Sequence, residues 1–432
     1  MFRSLHIFNY RIWFFGALVS NIGTWMQRTA QDWLVYDILT HQDAAAMGIV
    51  MALQLGPQLL LAPWSGLIAD TYNRRKVLLA TQVSMGALGL ALGLLVLSGH
   101  AELWHVYAFA LALGVVSAVD GPARQAFVSE VVSERDLPNA VALNSASFNG
   151  ARMVGPAVAG LLTVAVGPGL VFVLNALTFG AMVLALLKMR SGELRAMPKA
   201  APGKGRIRAG LAYVRHRPDI VMVMLAIFIV GTFGMNFAIY IAAMARTEFG
   251  RDAGIFGLLN SVMAIGSVSG ALLSARRDRP RLRFVFGAAG AFGLACILSA
   301  AAPNLTLFAL SLIPVGLFAL TLMTSANAYV QTTTAPVMRG RVMALYFAIF
   351  MGGTPLGAPV VGWVSNAFGP RWSLGVAAAS GLVAAAIGFV WAWRSYGMRI
   401  HYDRSLPRRL SMTTDYPEKQ QDPEKQQDPD SV

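Results

Sequence analysis

The feature that most constrains this chain is a series of long apolar segments, each of roughly 18 to 28 residues, the length that a helix needs to cross a bilayer. Hydrophobic residues make up 56% of the 432 residues and charged residues only 13%, whereas soluble domains carry about a quarter charged residues. The segments are continuously apolar and do not alternate, so they indicate helices rather than a barrel. We therefore predict an all-α membrane protein with twelve transmembrane helices near 11–38, 46–68, 77–98, 103–121, 138–165, 169–188, 219–245, 254–274, 284–302, 305–326, 341–366 and 371–394.

The net charge of +14 is distributed unevenly across these segments. With an even number of spans, both chain ends lie on one side, which we call the basic side. It holds thirty Lys and Arg residues, whereas the opposite side holds only Arg246, Arg251 and Arg371. Because Lys and Arg accumulate on the cytoplasmic side of membrane proteins, the sequence predicts cytoplasmic termini. The excess charge thus sets orientation, and we expect no nucleic-acid partner.

Two copies of one pattern divide the chain. Residues of the fifth span recur in the eleventh at a constant offset of 202 positions, namely Ala142 and Ala344, Gly150 and Gly352, Gly155 and Gly357, and Gly160 and Gly362. An unbroken offset predicts a parallel repeat of two pseudo-symmetric six-helix bundles. We expect an N-terminal bundle over 1–188, a cytoplasmic linker over 189–218, a C-terminal bundle over 219–395 and a disordered tail over 396–432. Within the linker, 206–215 is either an amphipathic helix on the membrane surface or a solvated basic segment.

A charged turn follows the second span, with the sequence Gly66-Leu67-Ile68-Ala69-Asp70-Thr71-Tyr72-Asn73-Arg74-Arg75-Lys76. It resembles the loop between the second and third helices of the major facilitator superfamily, where Gly-x-x-x-Asp-x-x-x-Arg-Arg recurs. Gly66, Asp70, Arg74 and Arg75 match that pattern, whereas Ser274 replaces the acid in a second copy after the eighth span. The resemblance implies the major facilitator fold and alternating access around a central cavity.

The resemblance also gives the turn a role. A carboxylate at the end of the second span opposes its own helix dipole, so it should approach the positive end of another helix. In the superfamily this acid contacts the start of the eleventh helix. The resemblance therefore implies that Asp70 and the basic residues latch the cytoplasmic side shut. The alternative is that Arg74, Arg75 and Lys76 only set the topology.

Polar residues interrupt the first span, at Asn21, Gln27, Arg28, Gln31 and Asp32. Ionisable side chains are costly inside a bilayer and face a cavity or a partner, and Arg28 and Asp32 share a helix face because they are four residues apart. In one interpretation Asp32 binds a proton and Arg28 contacts substrate; in the other they form a static ion pair that fixes helix packing. The superfamily often carries an essential acid in this helix, which favours the first. Asp37, nearer the helix end, is predicted to be solvated.

The fifth span combines small and polar residues, at Asn149, Gly150, Arg152, Gly155, Pro156 and Gly160. Small residues let helices approach closely in lipid, and Pro156 can kink the helix. The run resembles the Gly-Pro motif of the superfamily's antiporters, which implies efflux and a gating role for Gly150, Gly155, Pro156 and Gly160. Arg152 either binds an anionic group in the cavity or pairs with Asp120 or another helix end. The Gly-Pro-Ala-Arg run at 121–124 is closer to the branch containing the enterobactin exporter and the transmembrane secretion effectors.

The second half contributes the polar positions Asn236, Tyr240, Asn260 and Asn327. They either line the same cavity or form interhelical hydrogen bonds. The sequence has no phosphate-binding Gly-rich loop and no His/Cys cluster, so we expect no cofactor, no metal and no catalysis.

We therefore predict a secondary active transporter, a monomer in the bacterial plasma membrane. Its expected partners are the lipid bilayer, protons and a small amphiphilic molecule such as a drug or a siderophore, which it exports. Import, and a non-transporting sensor or scaffold on the same fold, are the alternatives.

Overall fold

The computed structural model describes residues 3–195, 206–275, 281–396, 399–402 and 410–413. Helices carry almost all of this part of the chain. They are α1 Phe8–Trp33, α2 Ala44–Leu60, α3 Ala62–Thr71, α4 Arg74–Leu97, α5 Leu103–Val131, α6 Leu137–Lys188, α7 Arg206–Arg215, α8 Pro218–Phe233, α9 Phe237–Ala243, α10 Ala253–Ala275, α11 Leu282–Ala300, α12 Leu305–Thr333, α13 Pro336–Phe368 and α14 Pro370–Tyr396.

These helices account for twelve membrane crossings. Nine of the described segments are long and apolar enough to span a bilayer, and one of them, α6, has 52 residues and serves for two crossings. The other two crossings are formed by α1, whose apolar sequence contains several polar residues, and by α2 together with α3. A break at Leu61 separates α2 from α3. The predicted set of twelve membrane-spanning helices is thus confirmed.

Two crossings end in π-helical turns on the opposite side. Leu34–Leu39 extends α1, and Met244–Glu248 extends the seventh crossing, which is formed by α8 and α9. Side chains cap the N-termini of α2 and α4, which follow charged turns. Asp43 accepts a hydrogen bond of 2.8 Å from the backbone N–H of Ala45, and Asn73 accepts one of 3.1 Å from that of Lys76. Such caps satisfy N–H groups that have no partner inside the helix.

The sequence repeat has a counterpart in the backbone. Gly167 breaks α6 with a φ of 79°, and Gly369, 202 positions later, separates α13 from α14 with a φ of 98°. A proline follows each glycine. Left-handed φ values favour glycine and proline cannot continue the preceding helix, so both Gly-Pro pairs form the same turn.

Contacts within each half repeat as well. A Cβ added at Gly155 would lie 2.6 Å from Cβ of Trp25 in α1, and one at Gly357 would lie 1.7 Å from the carbonyl oxygen of Thr232 in α8. Both distances are too short for a side chain, so the missing Cβ allows close approach. The fifth and eleventh crossings therefore pack alike on the first helix of their own half.

The same two crossings also join the halves to each other. A Cβ at Gly160 would lie 2.5 Å from the carbonyl oxygen of Ala253 in α10, and one at Gly362 would lie 2.2 Å from that of Ala44 in α2. Backbone-to-backbone packing of this kind leaves no room for water between the halves. These contacts seal the opposite side of the molecule.

The basic side is arranged differently. There α3 packs against α5 of its own half, and nothing lies within 4 Å of a Cβ added at Gly66 or Gly150. Contacts between the halves are thus described on the opposite side, whereas none is described at Gly66 or Gly150.

The linker helix α7 docks on the second half. A Cβ at Gly210 would lie 3.2 Å from Cβ of Arg341 in α13, Val214 is buried, and the hydroxyl of Tyr213 accepts hydrogen bonds from the N–H of Ala335 and from Arg217. Hydrogen bonding to Asp219 raises the pKa of Arg217 above its ordinary value. Val214 thus packs on protein, whereas Leu211 is 57% exposed, and the choice between a helix on the membrane surface and a solvated segment stays a prediction.

The predicted disordered tail differs from the structure at eight residues. Strand β1, Arg399–Tyr402, pairs antiparallel with β2, Leu410–Thr413. Residues 397–398, 403–409 and 414–432 lie outside the described part, so the rest of that prediction is untested.

Candidate functional site

A cavity of about 390 Å³ lies among the helices of the first half. It collects four of the predicted cavity residues, Asn21, Gln27, Arg28 and Asn149. Other polar lining comes from α5 and α6, at Ser117, Asp120, Arg124, Gln125, Asn144 and Ser145. Amides, hydroxyls and guanidinium groups therefore face one space, with Met85, Leu113, Phe148 and Phe179 as its apolar wall.

Trp25 joins the two arginines of the first and fifth crossings. The guanidinium carbon of Arg28 lies 5.4 Å from the Trp25 ring centroid, and that of Arg152 lies 5.5 Å from it. Neither arginine has a carboxylate within 4.0 Å among the described residues. Because an indole ring attracts cations, it holds two guanidinium groups close together without neutralising them. Arg152 does not line the cavity, and it does not pair with Asp120.

Asp32 stands one helical turn beyond Arg28. It is half-buried, and among the described residues it has no hydrogen bond and no cation within 4.0 Å. The static ion pair considered from the sequence is therefore absent from this state. The neighbouring Gln31 is 1% exposed, and its Nε2 has no hydrogen-bond partner in the described part. Gln27, in contrast, accepts a hydrogen bond from Asn175.

An ion pair lies at the basic end of the cavity, between Arg124 and Asp120. Arg124 donates through Nε to Asp120 over 3.1 Å, while Thr81 and Gln82 donate to the other carboxylate oxygen over 2.6 and 2.8 Å. The guanidinium group also lies 5.8 Å from the Trp13 ring centroid. We did not predict Asp120 and Arg124 as cavity residues, because both fall at the end of an otherwise uncharged span. The four-residue spacing of the two charges was the available signal.

Asp37 is the clearest correction to the sequence analysis. It was expected to be solvated, but it forms an ion pair of 2.5 Å with Arg246 of the second half, and its side chain is 18% exposed. Nearby, Tyr36 contacts Thr247 over 2.6 Å, and Asp43 accepts a hydrogen bond of 2.6 Å from Asn366. These polar contacts reinforce the seal made by the glycines.

The motif after the second span holds its own half together. Arg74 pairs with Glu130 over 2.7 Å. Arg75 donates to the carbonyl oxygens of Leu186 and Leu187 at the end of α6, where the helix dipole is negative. Asp70 lies in the last turn of α3, but its side chain lies outside the described part of the structure. The predicted latch across the halves is therefore untested.

The polar residues of the second half do not line the described cavity. Asn236 and Asn260 donate to carbonyl oxygens one turn earlier, over 2.8 and 2.9 Å, and Tyr240 donates to Phe233. Asn236 stands at the break between α8 and α9, and Asn327 is half-buried. Among the described residues these helices carry no charge at membrane depth, so ionisable chemistry is concentrated in the first half.

Twelve membrane-spanning helices in two similar halves, with a polar cavity among the helices of the first half, are typical of a membrane transporter of the major facilitator type. The chain belongs to the transmembrane secretion effector family of this superfamily, which it matches over residues 2–404. The family supports transport over the sensor or scaffold alternative.

Individual relatives agree with this assignment. The chain is 23% identical over 362 residues to the staphyloferrin A transporter of Staphylococcus aureus, covering 83% of this chain and 90% of that protein. It is 26% identical over 358 residues to the enterobactin exporter EntS of Escherichia coli O127:H6, covering 81% and 83%.

A solved structure confirms the fold. A bacterial homologue of the human lysosomal transporter Spinster, in an inward-facing and occupied conformation, aligns with a TM-score of 0.72 at 15% identity, covering 89% of this chain and 96% of that one. No group of three or more His, Cys, Asp or Glu residues that could hold a metal occurs in the described ranges.

Proposed function

We propose that the protein is a proton-coupled exporter of a small amphiphilic molecule, and that it works by alternating access. The observations that support the proposal are the polar cavity beside Arg28 and the contacts that join the halves on the opposite side; from them we infer that the cavity opens toward the basic side. If the basic side is cytoplasmic, as its charge predicts, this state collects substrate from the cytoplasm. We place the protein as a monomer in the bacterial plasma membrane, with both termini cytoplasmic and no nucleic-acid partner.

The substrate class follows from chemistry and relatives together. The cavity combines amide and guanidinium donors with aromatic wall residues, which suits a molecule with an acidic end and an apolar body. Two relatives are named for the siderophores staphyloferrin A and enterobactin. A siderophore-like compound therefore fits best, and the Gly-Pro run of the fifth crossing favours export over import.

Asp32 is the proposed proton-binding residue. It lies one turn from Arg28 and has no competing partner in this state, so proton binding would change the charge beside the cavity without breaking a direct contact. One proton moving inward across 100 mV releases about 2.3 kcal/mol, enough for a roughly fiftyfold concentration gradient of the exported molecule.

The glycines and the charged turn would provide the gates. Gly155, Pro156 and Gly160 lie where the opposite side is packed, whereas Gly66 and Gly150 lie on the open side and would be covered when the basic side closes. Asp70 would then reach the second half, and Arg74 and Arg75 would keep the turn anchored to α5 and α6.

Reconstitution tests the proposal. Vesicles would carry an imposed proton gradient, with enterobactin and staphyloferrin A as the first probes, and an untargeted metabolite comparison of cells with and without the protein would extend the probe set. We expect gradient-driven movement with the wild type, loss of the gradient dependence in Asp32→Asn, and no loss in Asp252→Asn, whose carboxylate caps α10 outside the spans. Gradient-independent movement in the wild type would defeat proton coupling.

A further inference from the structure

We propose that the cavity binds a dicarboxylate, with one carboxylate at Arg28 and the other at Arg124. This inference rests on the proposed transport function and names its substrate class. It begins from the observation that two guanidinium groups, on α1 and α5, line a single cavity of about 390 Å³.

Arg124 is held in a fixed position by its neighbours. Asp120 accepts from Nε over 3.1 Å, and the Trp13 ring lies 5.8 Å from the guanidinium carbon. Thr81 and Gln82 donate to the other oxygen of Asp120, so the carboxylate itself is fixed. Asp120 is therefore a positioning residue, and Arg124 is presented to the cavity with little freedom to turn away.

The hydrogen-bonding capacity of Arg124 is only partly used. A guanidinium group has five N–H donors, but Nε alone donates to a described residue, and Nη1 is buried without a partner. A buried donor without a partner is unfavourable, so a ligand that satisfies it gains affinity. Carboxylates suit this task because they accept two parallel bonds from the planar fork.

Arg28 supplies the second anchor. It has no carboxylate within 4.0 Å among the described residues. Arg152, which also contacts the Trp25 ring, adds positive charge near Arg28. Side-chain amides of Asn21, Gln27 and Asn149 surround it in the cavity lining. A ligand with a single acidic group would reach either Arg28 or the unpartnered Nη1 of Arg124, whereas a dicarboxylate reaches both.

Matched ligands test this inference. Binding of adipate, suberate and sebacate to the purified full chain would be compared by calorimetry with binding of the monomethyl ester of each. We expect the best diacid to bind at least tenfold more tightly than its half-ester, because a charged hydrogen-bonded contact is lost. Arg28→Lys and Arg124→Lys should each reduce this ratio severalfold. Arg190→Lys is the control. Arg190 also forms an ion pair, with Glu193, and a cation–π contact, with Phe8, but it does not line the cavity.

A further variant separates recognition from structure. Asp120→Asn keeps an oxygen that can accept from Arg124 but removes a negative charge, so it should raise the ratio of diacid to half-ester affinity. Equal binding of diacid and half-ester, no binding of any diacid, or an Asp120→Asn effect equal on both ligands would each overturn the inference. Proton-driven movement of a siderophore could still be observed in those cases, so the two proposals fail separately.

Discussion

Asp37 of the first half and Arg246 of the second half form an ion pair, with Oδ1 and Nε 2.5 Å apart. Among the ion pairs between described residues, it is the one that joins the two halves. Both residues lie in π-helical turns that end the first and seventh crossings on the opposite side. The pair must therefore break when the opposite side opens.

Removing this ion pair should favour opening of the opposite side. A partly exposed pair contributes up to about 1 kcal/mol, so we expect Asp37→Asn to raise the population of the open state by roughly fivefold. Distances between spin labels placed on the two halves would measure this shift. The exchange Asp37→Arg with Arg246→Asp should restore the wild-type distribution.

A neighbouring ion pair provides the control. Arg371 pairs with Glu248 over 2.9 Å on the same side, but both residues belong to the second half. Arg371→Gln should leave the spin-label distances unchanged. An equal shift in this variant would show that loss of any charge on this side has the same effect, which contradicts a specific role for Asp37.

The repeated glycines should respond alike to substitution. Leucine at Gly160 or Gly362 would collide with a carbonyl oxygen of the other half, so each variant should hold the opposite side open. Gly150→Leu places a side chain in open space in this state and should instead impede closure of the basic side. Labelling of single cysteines from either side would distinguish the two classes. Different behaviour of Gly160→Leu and Gly362→Leu would contradict the equivalence of the repeats.

Trp25 should contribute to anion binding through its two arginines. Each cation–π contact is worth about 0.5–1 kcal/mol, so loss of the Arg28 contact in Trp25→Leu should weaken diacid binding by roughly twofold to fivefold, whereas Trp25→Phe should retain most of it. Calorimetry with the best-binding diacid measures the effect. Trp104→Leu, at an exposed position outside the cavity, should have no effect; a loss equal to that of Trp25→Leu would count against the assignment.

The contact between the N-terminal segment and the α5–α6 turn predicts a pH dependence. A hydrogen bond from Ser133, assisted by Arg3 at 2.6 Å, lowers the pKa of Asp136. Because the folded pKa is lowered, the contribution of Asp136 to stability is complete above the ordinary Asp pKa of about 3.9 and is lost as the pH falls below it.

Thermal unfolding checks this prediction. Wild type should be more stable than Asp136→Asn at neutral pH, and the difference should shrink only at pH values below about 4. A difference that disappears between about pH 6 and pH 7 would indicate that another group, not Asp136, is responsible.

The fold was predictable because membrane-spanning helices leave a strong signal. Apolar length, the imbalance of Lys and Arg and the offset of 202 positions are local or periodic properties of the sequence. The Gly-Pro pairs at Gly167 and Gly369 follow the same offset. Each of these features follows from the thickness and polarity of the bilayer or from the internal repeat of the chain. They therefore predict the fold without knowledge of tertiary contacts.

The site was less predictable, because partners distant in sequence decide the role of a polar residue. In the sequence Asp37 is a charged residue near a helix end, and its partner Arg246 lies 209 positions away. Arg124 contacts the ring of Trp13, 111 positions earlier, and lines the cavity together with residues of α6. Asn260 donates to a carbonyl oxygen of its own helix, which its position in the sequence could not show, and its cavity role stays a prediction.

The most direct test of the account asks whether the first-half cavity is exposed to each side in turn. Cys296 is the one cysteine in the chain, so Cys296→Ala provides a background for Ser117→Cys, which places a thiol in the cavity lining. Ser98→Cys, in the exposed turn after α4 on the opposite side, is the matched control. Membrane-impermeant maleimide would be applied from either side of oriented vesicles. We predict labelling of Ser117→Cys from the basic side alone at rest, and from both sides once substrate and a proton gradient are supplied. Labelling from the basic side alone under all conditions, while Ser98→Cys reacts from the opposite side throughout, would contradict alternating access.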